Sequence, residues 1–203
     1  MLNKIKEAIY YLGLFGIAQC IFCKIYLKIL RKIFGFNRWH SNSPIQCRYY
    51  KKKLVEYIAN LDIKKVTEIG CGLAEVAKKI SELRSDITFY CYDNDSNVIK
   101  AANYLNKNNK KITLSVGSFK DPFEESDVIL LINFSHWIEV DTLIKNIKLL
   151  ANKINAKYLV IDFIEKGIVT NRKDRFNNFK NEFELLNHYQ DVHDRDIGIF
   201  KLS

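Results

Sequence analysis

One stretch constrains the whole chain: Val66-Thr67-Glu68-Ile69-Gly70-Cys71-Gly72-Leu73-Ala74-Glu75. Val66 to Ile69 is a short run of the kind that forms a buried strand, two glycines break it, and the segment through Lys79 is helix-forming. Strand, glycine turn and helix in succession form the unit in which α/β proteins hold nucleotide-like ligands. Glycine lets the backbone turn sharply and come close to a ligand, and the first helical turn presents unpaired N–H groups. Two patterns of this kind are incomplete here. A dinucleotide loop, G-x-G-x-x-G, needs a small residue last so that helix and strand pack closely, and Glu75 stands there. A triphosphate loop ends in G-K-S/T, which is absent.

Downstream the alternation repeats. Residues 87–92 read as a strand ending at Asp93, 96–106 as a helix, and 111–116 as a strand ending at Gly117-Ser118. Residues 127–132 form a continuous apolar strand, a helix covers 141–151, and 158–163 is another such strand. Runs apolar on both faces and separated by helices specify a parallel sheet covered on both sides. A polar, basic stretch (166–180) then leads to 183–189 and 197–202 with a turn at 193–196, which reads as a terminal antiparallel pair. A helix from about 44 to 60, with Ser43 as N-cap and Pro44 in first position, precedes the glycine loop. The expected fold is α/β: a doubly wound, mostly parallel seven-stranded sheet with a terminal antiparallel strand, preceded by an N-terminal helical extension. The expected division is between residues 1–43 and 44–203.

The net charge of +9 sits at one end. Residues 1–53 carry eleven lysines or arginines against Glu7 alone, so the rest of the chain is close to neutral and the front end suits an anionic partner. Residues 2–34 read as helical, with Leu2, Ile5, Ile9 and Leu12 at helical spacing and no charge from Ala8 to Cys23. That uncharged run falls short of the roughly 20 residues a bilayer span needs and contains Gly13 and Gly16. No cleavage site of a signal peptide follows it. Lys24, Lys28, Arg31 and Lys32 share one helical face, and Phe22, Ile25, Tyr26, Ile29, Leu30 and Ile33 lie opposite. Such a helix suits an anionic membrane surface, or packing on its own domain or on a second copy in a homodimer; periodicity alone does not separate these. Cys20, Cys23, Cys47, Cys71 and Cys91 lie mostly in apolar runs and read as reduced intracellular thiols. Cys20 and Cys23 lack the further ligands of a closed zinc site and read as packing residues. The expected location is the cytoplasm, peripheral to the inner face of a membrane where the helix meets lipid.

Four motifs in order, the loop being the first, resemble the class I S-adenosylmethionine-dependent methyltransferases over about residues 44–203. Glu68-Ile69-Gly70-Cys71-Gly72 matches the acid-x-Gly-x-Gly that ends the family's first strand, with Ala74 where a further Gly is common. Asp93 matches the acid that holds the ribose hydroxyls after the second strand. Gly117-Ser118-Phe119 has Ser where the family usually has the Asp that meets the adenine amine, which implies a weaker contact. Leu131-Ile132-Asn133-Phe134-Ser135-His136-Trp137 matches the motif after the fourth strand. The resemblance implies S-adenosyl-L-methionine as cofactor, held by Glu68, Gly70, Cys71, Gly72, Asp93, Asn94, Ser118, Phe119 and Asn133.

Methyl transfer from a sulfonium is an in-line displacement, so alignment does much of the work and a base is needed where the acceptor is a hydroxyl. His136, on the loop expected to face the methyl group, is the first candidate base, and His40, carried by the linker, is the second; each also reads as an ordinary structural or surface residue. His188, His193, Asp162, Glu165, Arg48 and Tyr49 are weaker candidates for acceptor or cofactor contact. Asn133-Phe134-Ser135-His136 replaces the Asn/Asp-Pro-Pro-Tyr/Phe of amino-methylating base enzymes. No Pro-Cys or Thr-Cys nucleophile of cytosine C5 enzymes occurs late in the chain, and Asn133 stands where metal-dependent catechol enzymes place an Asp. The remaining expectation is metal-independent transfer to oxygen or nitrogen of a small-molecule, sugar (glycan) or lipid-linked acceptor. An RNA methyltransferase with a basic arm ranks lower because no added RNA-binding domain is present, and a non-catalytic cofactor-binding protein is the third reading.

Overall fold

The computed structural model describes residues 2–41, 44–121, 124–164, 172–191 and 195–202. The expected N-cap Ser43 and the candidates Glu165 and His193 lie outside the described residues. Helix α1 (Leu2–Phe34) leads through a 3-10 turn (Arg38–Ser41) and a second (Ile45–Cys47) to α2 (Tyr49–Ala59). Then follow β1 (Lys65–Ile69), α3 (Glu75–Leu83), β2 (Thr88–Asp93), α4 (Ser96–Asn106), β3 (Ile112–Val116) and β4 (Val128–Leu131). A 3-10 turn (Ser135–Trp137), α5 (Val140–Ile154), β5 (Tyr158–Ile164), α6 (Arg172–Glu182), β6 (Glu184–Asp191) and β7 (Arg195–Lys201) complete the chain.

The seven strands lie in the order β3-β2-β1-β4-β5-β7-β6. All pairs are parallel except β5 with β7 and β6 with β7. Alternate residues of each strand feed opposite layers. Val66 and Leu130 face the layer built from α2, α3 and α4 with Tyr50, Leu54, Ile80 and Val98, whereas Ile69, Ile129 and Leu131 face α5 and α6 with Leu143, Ile147 and Phe179. This two-sided burial is why the strands read as unbroken apolar runs. The chain reverses its winding between β1 and β4, the point at which α/β sheets place a ligand crevice beyond the carboxyl ends of the strands.

Three expectations are corrected. The helix expected from 44 starts only at Tyr49, because Arg48 is extended (φ −129°, ψ 102°) after the turn in which Ile45 is buried. The polar stretch 166–180 contains a helix, α6, that shows little amphipathic pattern; its Phe176 and Phe179 dock on Phe163 with ring centroids 5.4 and 5.0 Å apart. The cysteines are not all thiols: Cys20 and Cys47 are joined by a disulfide, with Cα atoms 5.3 Å apart, while Cys23, Cys71 and Cys91 are free. In α1 only Gly13 (φ 65°, ψ 172°) leaves helical geometry, and Gly16 continues the helix.

Candidate active site

The glycine loop is pinned to the end of β2. The amides of Gly70 and Cys71 both donate to the carbonyl of Tyr92, at 2.8 and 3.0 Å. Gly70 has φ +71°, and a Cβ there would clash with the Phe134 side chain, so only glycine serves. Gly72 has φ +56°, and its N–H donates to Asp93 Oδ2 at 2.9 Å. The other carboxylate oxygen of Asp93 accepts from Asp95 N–H at 3.0 Å, and its carbonyl accepts from Gly117 N–H at 3.0 Å. Asp93 is 3% exposed and ties the first three strand ends together. Asn94, next in the chain, is exposed, and Ala74 takes φ 54° in the left-handed region where the family often has glycine.

Glu68 lies beneath this loop, 3% exposed, with Cys91 Sγ 3.8 Å from its Oε2. Burial lifts its carboxyl from the ordinary 4.5 to about 8, against the pull of the Lys51 ammonium. Lys51 reaches from α2 to Glu75 at 3.2 Å, across the start of α3. Cys71 is buried, and burial pushes its thiol well up. Glu75 occupies the first turn of α3, where a phosphate would otherwise be drawn by the helix dipole. Beyond β3, Ser118 N–H donates to Asp121 Oδ2 at 2.5 Å, so a carboxylate folds back to the position where the sequence shows only Ser118. Phe119 and Phe134 face each other there at 5.5 Å.

The two histidines proposed as bases are held apart. His40 closes over Asp93 from the linker, with Nδ1 4.0 Å from Asp93 Oδ2 and Nε2 3.7 Å from Asp95 Oδ2. That sets it beside Asp93, the acid expected to hold the ribose hydroxyls. His136 is 8% exposed on the turn after β4. Burial, with the Arg195 and Arg175 guanidinium groups, holds its imidazole down to about 4, so it is neutral at neutral pH. His188 lies elsewhere, on β6, paired with Asp196 at 2.7 Å.

Around His136 a cluster appears that the motifs did not announce. Tyr50 Oη and the Asn133 side chain are hydrogen-bonded, with Asn133 Nδ2 donating at 3.0 Å. Asn133 N–H donates to Asp162 Oδ1 at 2.9 Å, and Ser135 Oγ donates to the Asp162 carbonyl at 3.1 Å. Asp162, fully buried, is ion-paired with Arg195, whose guanidinium lies 4.1 Å over the Tyr50 ring. Arg175 donates to the carbonyls of Ser135 and Ile138 at 2.8 and 3.1 Å. Arg48 lies close enough to Arg195 for the two charges to repel, and Tyr49 faces Lys53 instead. Tyr50, Arg175 and Arg195 had no local signal: Tyr50 reads as core, and the arginines lie in segments without a motif.

Residues 67–156 match the model of a methyltransferase domain family. No curated protein matches the chain in sequence. Among solved structures, magnesium protoporphyrin IX methyltransferase from Synechocystis PCC 6803, solved with S-adenosylmethionine bound, is similar with a TM-score of 0.64 and 14% identity, covering 92% of this chain and 96% of that one. N-methyltransferase NodS from Bradyrhizobium japonicum WM9 is similar with a TM-score of 0.62 and 13% identity, covering 79% of this chain and 97% of that one. An O-methyltransferase family protein from Burkholderia thailandensis has a TM-score of 0.60 and 10% identity over 76% of this chain, which spans only 56% of that protein's length. At such identities these likenesses speak for the fold, and the domain match covers residues 67–156 of it. Residues 67–156 thus match a methyltransferase domain, on a chain with the Rossmann-like fold of S-adenosylmethionine-dependent methyltransferases.

Proposed function

We propose that the chain transfers the methyl group of S-adenosylmethionine to oxygen or nitrogen of a small-molecule, sugar or lipid-linked acceptor, without a metal. The observation that carries this is the loop Gly70–Gly72 bonded to Asp93. A Cβ at Gly72 would approach His40 Nδ1 to 3.2 Å, so the loop keeps its second glycine where the His40 side chain closes on it. The acids around it (Glu75, Asp93 and Asp95) suit a cofactor that carries a cationic sulfur and no phosphate. When bound, that cofactor supplies an electrophilic methyl group.

The chain's own residues supply binding and alignment. Asp93 receives the ribose hydroxyls, with His40 covering it. Phe119 and Phe134 flank the adenine, and Asp121 supplies the carboxylate that Ser118 lacks. Tyr50 and Asn133 orient the acceptor at the crevice. For a hydroxyl acceptor, His136 takes the proton. The oxygen becomes far more acidic as its bond to carbon forms, so a neutral imidazole of low basicity accepts the proton late in the step.

Isothermal calorimetry tests the reading. The wild-type chain should bind S-adenosylmethionine, and Asp93→Ala should weaken binding about tenfold or more, the scale of losing a charged hydrogen-bond acceptor. A wild-type chain that binds no cofactor would refute it.

A further inference from the structure

The outer face of α1 has no partner in the fold. Its inner face is fixed: Cys20, Leu27 and Leu30 are buried, and the disulfide to Cys47 staples the helix to the turn before α2. On the opposite side Phe15, Phe22, Ile25, Ile29 and Ile33 form a continuous stripe, each between 51% and 77% exposed. Lys24, Lys28, Arg31 and Lys32 run along one flank of this stripe, and among the described residues none of them is in an ion pair. No acidic residue occurs anywhere from Ala8 to Val55.

From these observations we infer that α1 is a docking helix for an anionic lipid bilayer, lying in the plane of the membrane surface with the Phe15–Ile33 stripe among the acyl chains and the basic flank at the headgroups. The segment Gly13–Phe34 is long and apolar enough to cross a membrane. Its packing argues against that arrangement, because Leu27 and Leu30 are buried in the core cluster of the domain and the disulfide ties Cys20 to the turn before α2. A second copy is a poorer occupant. Two such helices meeting face to face would bring both basic flanks together, with no acid from Ala8 to Phe34 on either to offset them. Lipid with anionic headgroups satisfies the apolar stripe and the charges at once. Because α1 runs directly into the turn bearing His40, docking would set the rim of the cofactor crevice at the lipid surface.

Co-sedimentation of the full chain with vesicles tests this. Wild type should pellet with vesicles of equal parts phosphatidylcholine and phosphatidylglycerol, and this binding should weaken steeply with added salt and with phosphatidylcholine alone. The double variant Phe22→Ser/Ile29→Ser should lose binding with its thermal midpoint unchanged, since both side chains point away from the core. Replacing Lys24, Lys28, Arg31 and Lys32 together by Gln should lower binding to anionic vesicles by about tenfold or more. Failure of the wild type to bind either vesicle overturns the inference, as does binding that the double variant retains. Sedimentation velocity showing a wild-type dimer that becomes monomeric in the double variant, with no pelleting, would assign the face to a second copy instead. None of these readouts depends on cofactor binding, so they stand or fall apart from the proposed methyl transfer.

Discussion

The two sides of the crevice are built by different means. On the side of β1, β2 and β3, backbone does the work: amides of Gly70, Cys71, Gly72, Asp95 and Gly117 converge on the Tyr92 carbonyl and on Asp93. On the side of β4, β5 and β7, side chains do it: Tyr50, Asn133, His136, Asp162, Arg175 and Arg195 meet from five stretches of sequence. A backbone site requires particular conformations, and hence glycines and a strand-end acid at fixed spacing. A side-chain site requires only that distant residues converge. The first kind suits a ligand that all members of a fold share, and the second suits a ligand that differs from one member to the next.

The sharpest way to separate the halves is to remove Arg195. Its partner Asp162 is fully buried, and stripping the guanidinium leaves a carboxylate supported mainly by the Asn133 amide at 2.9 Å. Arg195→Ala should cost about 3–5 kcal/mol in urea unfolding, the scale of breaking a buried pair from one side. At a temperature where the variant is folded, its affinity for S-adenosylmethionine should stay within about threefold of wild type, since none of the backbone bonds around Asp93 is touched. A parallel collapse of cofactor affinity would show that the two halves are one unit.

The same contrast governs what the sequence revealed. The glycine loop, Asp93 and the strand rhythm were legible because each has a local cause: a positive φ, a strand end, or apolar faces on both sides. Ser118 was legible as a departure from the family pattern, but the Asp121 carboxylate on its amide was not, since it arrives through a turn. The pair Tyr50–Asn133 joins residues 83 apart, and no pattern in one segment announces the other. Helix α6 was missed for a related reason. Its apolar contribution is a few phenylalanines that dock on Phe163 and Phe200, so tertiary packing, not amphipathic period, makes it a helix.

Titration gives each half its own signature. Glu68, under the glycine loop, has its carboxyl raised from 4.5 to about 8, so its folded state holds a proton that the unfolded chain has lost; its contribution is complete below pH 4.5 and disappears as pH rises toward 8. His136, in the side-chain cluster, is lowered from 6.5 to about 4, so the unfolded chain holds the extra proton; its contribution is complete above pH 6.5 and disappears as pH falls toward 4. Between about pH 4.5 and 6.5 the slopes oppose each other, and from 6.5 to 8 Glu68 acts alone. Urea midpoints should therefore show Glu68→Gln gaining on wild type across that upper window, at up to about 1.4 kcal/mol per pH unit. His136→Asn should lose the compensation in the lower one. A Glu68→Gln variant that tracks wild type from neutral to alkaline pH would mean that this carboxyl is ionised beneath the loop.

His40 is where the comparison is finest, because it is a side chain standing on the backbone half. Its ring nitrogens face Asp93 and Asp95 at 4.0 and 3.7 Å, and its side chain is 22% exposed, so the contact is partly screened by water. A group so placed acts on how tightly the cofactor is held, whereas a base for the acceptor would have to reach the crevice beside Asn133. His40→Ala should therefore raise the dissociation constant for S-adenosylmethionine by severalfold, about 1 kcal/mol or less, the scale of a partly exposed polar contact. Turnover at saturating cofactor should be unchanged. Should kcat fall while cofactor affinity holds, the histidine belongs to the transfer step, and the side-chain machinery of the acceptor half extends across the crevice to the linker.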